Sequence, residues 1–146
     1  DNVLTYTTDI MEEALDVTGP VKAVLHASST AIDTDWVARV TDVHPDGTSM
    51  LICDGILRAR FKDSFEDPIA LIPQMPMEFE IDLWATSHVF QKGHRVRVAI
   101  ASSSFPRWDR NWQTGRNNAY ESNGPVAGNR VFRDAVRSSH VLLPLL

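Results

Sequence analysis

The stretch His94–Gly115, HRVRVAIASSSFPRWDRNWQTG, decides how this chain is read. Val96, Val98 and Ile100 alternate with Arg95 and Arg97. That is the period-two pattern of a half-buried strand, because successive strand side chains point to opposite faces. Ser102, Ser103 and Ser104 follow, then Phe105-Pro106 and a loop dense in aromatic and charged groups: Arg107, Trp108, Asp109, Arg110, Asn111 and Trp112. Two of the chain's four tryptophans fall in this loop. A loop with so much amphipathic surface packs against something, either its own domain or a partner.

Just upstream, Pro76–Trp84 has the clearest alternation in the chain, with Met77, Phe79, Ile81 and Leu83 on one face and Glu78, Glu80 and Asp82 on the other. Its acidic face would complement Arg95 and Arg97 if the two strands were neighbours, with Ala85–Gly93 as the link between them. Further strands are expected at Val3–Thr8, Val21–Ser29, Asp35–His44, Thr48–Cys53 and Ile56–Phe61. Val21, Ala23, Leu25 and Ala27 share one face of the second, and Trp36, Ala38 and Val40 one face of the third. Asp9–Leu15 reads as a connection punctuated by Gly19-Pro20. Pro45-Asp46-Gly47 supplies a turn, because proline presets φ and glycine accepts a positive one. Asp54-Gly55 ends the fourth strand, and Lys62–Met75 is a long connection. Asn117–Gly128 reads as mobile, and Arg130–Arg133 and His140–Leu146 as the last strands. About eight or nine short strands joined by uneven connections predict an all-β, mostly antiparallel jelly-roll β-sandwich.

The chain has 146 residues, the size of one domain able to bury a real core. Its net charge of −5 carries no basic block, which argues against nucleic acid as a partner. No apolar run has the length of a membrane span, so no membrane partner is expected. The lone cysteine, Cys53, allows no internal disulfide, and the composition leans toward the cytoplasm.

A search for chemistry is mostly negative. No serine sits in a G-x-S-x-G elbow, and an all-β chain lacks the strand-turn-helix setting that elbow needs. Ser102–Ser104 are read as packing or loop-bonding residues, and Cys53, between Ile52 and Asp54, as a buried inert thiol. The five histidines show no H-x-x-x-H spacing. Asp33 and Asp35, or Asp42 and Asp46, could offer oxygens to calcium, but turn chemistry explains each pair as well. No phosphate-cradling loop is present. Neither a metal nor a cofactor is therefore expected, and no catalytic residue is assigned. Arg58 and Arg60 suit a solvated face or a cross-strand ion pair.

The blocks DTDW (Asp33–Trp36), DVHPDG (Asp42–Gly47), DGILRARF (Asp54–Phe61), IDLWATSHVF (Ile81–Phe90), GHRVRVAIASSSFPRWDRN (Gly93–Asn111) and SSHVLLPLL (Ser138–Leu146) are similar, in order and spacing, to one known domain. The chain resembles the C-terminal domain of the X-prolyl dipeptidyl peptidases and the related cocaine-esterase and α-amino-acid ester hydrolase group. That resemblance implies a jelly roll of galactose-binding-domain shape that carries no catalytic residue. Its partner would be an α/β-hydrolase domain of the same parent protein. That domain holds the Ser-Asp-His triad, and the jelly roll packs beside it and helps close the substrate pocket. No triad position falls in the matching region. The resemblance also implies that 1–146 is a fragment, since the family's jelly roll usually begins earlier.

Two functions follow as expectations: an accessory domain of a serine hydrolase, or a carbohydrate- or ligand-binding sandwich suggested by fold analogy. Trp84, Arg107, Trp108, Arg110 and Trp112 are the candidate interdomain or ligand contacts. The discriminating feature is whether the tryptophan rings stand free or pack within the domain. An isolated accessory domain is also expected to self-associate, because it exposes the surface its partner would cover.

Overall fold

The computed structural model describes residues 2–146. Its strands are β1 (Val3–Thr7), β2 (Leu15–Ser29), β3 (Asp35–Val43), β4 (Ser49–Arg58), β5 (Met77–Phe90), β6 (Arg95–Ala101), β7 (Asn129–Phe132) and β8 (His140–Leu142). They form two antiparallel sheets, β1-β6-β3-β4 and β5-β2-β7, with β8 also pairing to β2. The chain passes from one sheet to the other after β1, β2, β4, β5 and β6, the wrapping of a jelly roll. The expected all-β sandwich is what forms.

The alternation read from the sequence supplies the core. Val21, Ala23, Leu25 and Ala27 from β2 meet Trp36, Ala38 and Val40 from β3, and Phe79, Ile81 and Leu83 from β5 complete the layer with Val96 and Ile100 from β6. Trp36 and Phe79 lie 5.7 Å apart between ring centroids, tilted at 44°. Such an offset contact is favourable beyond the area it buries.

Four expectations need correction. First, β5 and β6 are not neighbours. β5 pairs with β2, and β6 lies between β1 and β3 in the other sheet. The acidic face of β5 instead meets Lys22 (to Glu80, 2.7 Å) and His26 (to Glu78, 3.5 Å). Arg97 donates to Thr7 Oγ1 (2.9 Å) and Arg95 to the Thr8 carbonyl (3.2 Å). Charge complementarity does not distinguish a neighbour from a strand across the sandwich. Second, β5 continues through Ala85–Phe90, so the link to β6 shrinks to a short turn in which Gly93 takes φ +89°.

Third, β2 begins at Leu15 and runs through Gly19-Pro20. The pairing shifts register between Pro20 and Lys22, with one extra residue on β5. A bulge tolerates a proline because no ladder donor is required there. Fourth, Asp54-Gly55 lies inside β4, which is one strand where two were expected, and Ala59–Phe61 forms a 3-10 turn. Gly55 is required by proximity. A Cβ built there would sit 2.0 Å from the Asp82 carbonyl oxygen and 3.0 Å from Leu83 Cδ2 on the facing sheet. The glycine is thus a point of closest approach between the sheets. Gly55→Ala is expected to lower unfolding stability by about 1–3 kcal/mol, the range for overpacking a core. Urea denaturation checks this, and an unchanged midpoint would show that the sheets can part at little cost.

Candidate functional site

The loop after β6 is held by two buried carboxylates at the start of β3. Asp33 is 0% exposed and Asp35 1%. Burying an ionised carboxylate is costly unless it is paired and hydrogen-bonded. Arg58 lies directly opposite Asp35 in the β3–β4 register and meets it bidentately, Nε to Oδ1 at 2.9 Å and Nη2 to Oδ2 at 3.1 Å. Arg60 donates its backbone N–H to Asp33 Oδ1 (3.1 Å) and its Nη1 to Oδ2 (2.9 Å). Asn111 Nδ2 from the loop bridges both acids, at 2.9 Å to Asp33 and 2.8 Å to Asp35. Of the two sequence readings, the cross-strand ion pair holds for Arg58, whereas Arg60 lies in the turn after β4 and pairs with Asp33 just before β3. Asp33 and Asp35 are taken up by these donors and not arranged for calcium.

The same network reaches the rest of the loop. Arg58 Nη2 also contacts Asp109 Oδ1 (3.1 Å), whose Oδ2 accepts from Asn118 Nδ2 (3.1 Å), and Arg107 reaches Asp54 at 2.9 Å. Among the described residues, Arg107 and Asp109 form no ion pair with each other or with Arg110. The acidic partner of Arg107 and the basic partner of Asp109 instead come from β4, because the loop folds back across that strand. Two of the serines bond to side chains of neighbouring strands and not to the loop backbone: Asn129 of β7 donates to Ser102 Oγ (2.6 Å), and Arg39 of β3 to Ser104 Oγ.

The protonation behaviour follows from these contacts. Burial, with Asp33 adding a like charge, holds the Asp35 carboxyl above its ordinary range despite Arg58 and Asn111. Asp109 lies below the ordinary 3.8, chiefly through Asn118 and also through Arg58. Burial and the neighbouring Asp54 charge push the Cys53 thiol up to about 11, so it is a poor nucleophile at neutral pH.

The five candidate contacts separate into two groups. Trp108 is half-buried beneath Arg107, whose guanidinium lies 4.8 Å from its ring centre. Trp112 is half-buried, and Gly124 packs so tightly against it that a Cβ there would sit 1.7 Å from the Trp112 carbonyl oxygen. Arg110 stacks over Phe105 at 5.1 Å. Arg110 and Trp112 line a cavity of about 710 Å³ with Trp36, Ile100, Gln113 and Asn129. Three of those residues bury a polar atom with no protein partner: Trp36 Nε1, Gln113 Oε1 and Asn129 Oδ1. Trp84 lies apart on β5. It is 70% exposed, it occupies the bulge opposite Val21, and its φ is +66°. A bulky residue in the left-handed region is strained, and Asp82 Oδ1 helps hold it by accepting the Trp84 N–H (2.8 Å). Spacing within the chain signalled the Trp108–Trp112 pair. It carried no sign of the anchors Asp33, Asp35 and Asn111, which meet only after folding.

A family model described as the X-Pro dipeptidyl-peptidase C-terminal non-catalytic domain matches residues 1–142. The chain belongs to that family. It is 41% identical over its whole length to cocaine esterase from Rhodococcus sp. (strain MB1 Bresler), of which it covers 26%. Among solved structures, an aminopeptidase from a marine sediment Thaumarchaeota archaeon superposes with a TM-score of 0.95 at 32% identity over 99% of this chain and 26% of that one. An α-amino acid ester hydrolase superposes with a TM-score of 0.89, also at 32% identity over 99% of this chain and 26% of that one. The chain thus spans about a quarter of the length of the relatives it matches.

Two outcomes are expected from the network. Arg58→Met leaves Asp35 buried without its charge partner and should cost about 3–5 kcal/mol. Arg107→Met, at a side chain 56% exposed, should cost about 1 kcal/mol or less in the same denaturation assay. Asp109 has a folded pKa below its unfolded one, so its contribution is complete above pH 3.8 and is lost as pH falls through the folded value. Asp109→Asn should therefore flatten the acid limb of the stability–pH curve below about pH 4.

Proposed function

We propose that this domain is the accessory, non-catalytic part of a serine hydrolase of the peptidase–esterase kind, packed on an α/β-hydrolase domain of the same parent protein and shaping its substrate pocket. The observation that carries the reading is the combination of a non-catalytic family domain with relatives four times longer, named for ester and peptide hydrolysis. The chemistry of the chain agrees with it. The thiol is held protonated, Ser102 and Ser104 accept hydrogen bonds from Asn129 and Arg39, and Trp108 and Trp112 are half-buried in their own domain. A sugar-binding platform needs free rings sharing a face, and of the loop and β5 tryptophans only Trp84 is largely free.

The surface that suits a catalytic domain is the rim of the 710 Å³ cavity. Val3 (45% exposed), Leu4 (44%) and Val126 (99%) are apolar there, and the unpartnered polar atoms of Gln113 and Asn129 lie beside them. Trp84, strained and exposed, is a second contact of the same kind. The test is hydrolysis of an aryl ester and an X-Pro p-nitroanilide by three samples: this chain alone, the parent protein, and the parent carrying Val126→Asp. The chain alone should show no turnover. The Val126→Asp parent should have a lower thermal midpoint and a raised KM while the isolated domain keeps its stability. Turnover by the chain alone, blocked by a serine-directed inhibitor, would overturn the reading.

A further inference from the structure

The far end of β3 carries another buried carboxylate, and its surroundings are of a different kind. Asp42 is 2% exposed, and among the described residues no lysine or arginine pairs with it, whereas Asp33, Asp35 and Asp54 each take an arginine. Three histidines surround it instead. His94 Nδ1 lies 2.8 Å from Oδ1, His88 Nε2 3.0 Å from Oδ2 and His44 Nε2 3.8 Å from Oδ2. Ligand atoms of Asp42, His44 and His94 all fall within 4.8 Å of one another.

From this geometry we infer that Asp42, His44 and His94 form a site for one divalent transition-metal ion of the zinc class, with His88 holding the Asp42 carboxylate from beside it. Imidazole nitrogens with one carboxylate oxygen are the donor set such ions prefer, and calcium and magnesium, which favour all-oxygen shells, do not. Metal–ligand distances near 2.1 Å in a tetrahedral shell place neighbouring ligand atoms about 3.4 Å apart. The His94 and His44 separations from the carboxylate, 2.8 and 3.8 Å, bracket that spacing, and the three ligand atoms lie within 4.8 Å of one another, so side-chain shifts of about an ångström admit the ion. The rings are already oriented: His88 stands edge-on to Phe90 at 4.8 Å, and His44 stacks on His94 at 4.4 Å. His44 has the most exposed side chain of the three, at 31%, and marks the way in.

The ligands come from β3, from the turn that follows it and from the turn between β5 and β6, and His88 on β5 supports the carboxylate. A bound ion would clip the two turns together, and binding energy at such a site becomes folding energy. No motif announces it, because the residues converge from three elements and none of the histidines is spaced as in a metal-binding helix.

The test is isothermal titration of untagged, EDTA-stripped chain with Zn2+, supported by the visible absorption of added Co2+ and by thermal melts. One ion per chain is expected, with roughly micromolar or tighter affinity, together with a raised melting midpoint that EDTA reverses. His44→Ala keeps the His88 and His94 hydrogen bonds to Asp42 and should weaken binding by about tenfold or more. His44→Gln, which keeps a polar side chain of similar reach, serves the same purpose if the alanine variant melts early without metal. Absence of stoichiometric binding, or equal affinity in the His44 variants, would overturn the proposal. The second result would place the ion on surface histidines such as His26 or His140.

Discussion

The structure depends on how two carboxylates are kept buried at the start of one strand. Asp33 and Asp35 are out of water, and each is satisfied by an arginine from β4 or the turn after it and by the same loop asparagine, Asn111. Partly satisfied buried charges cost more than none, so the arrangement holds together as a unit or not at all. The arginines set the register of β3 against β4, and Asn111 and Asp109 draw the tryptophan loop onto them. The cavity, its apolar rim and the packing of Trp108 and Trp112 all follow from where that loop is tethered.

The other end of β3 solves the same problem with histidines. Asp35 and Asp42 are separated by about 24 Å at the rise of an extended strand, and each joins its strand to segments remote in sequence. Arginine partners make a permanent charge pair. Imidazoles can be neutral donors or ligands near neutral pH, so only this end has chemistry that an ion can alter.

A domain built this way suits support more than turnover. The charged side chains that hold its loop are engaged with one another, its thiol is held protonated, and its one strained tryptophan is exposed. Its cavity carries a partly apolar rim. That agrees with its family, whose members in this comparison are about four times as long.

The local pattern was legible because alternation along a strand reflects burial on one face, and burial is a property each strand records in its own residues. The inward sets of β2, β3, β5 and β6 could be read that way, as could the turn at Pro45-Asp46-Gly47 and the loop's aromatic density. Pairing could not. The acidic face of β5 and the basic face of β6 fit each other in charge yet lie in opposite sheets, since surface charge pairs are too weak to choose a topology. Asp54-Gly55 read as a strand end until the facing carbonyl of Asp82 showed why no side chain fits there. By itself the sequence determined the all-β class, the core faces and the resemblance to a family domain. Only the tertiary structure decided which charges meet, because Asp33, Asp35 and Asp42, the adjacent His44 aside, find partners 23 to 78 residues away along the chain, and separation of that kind leaves no local trace.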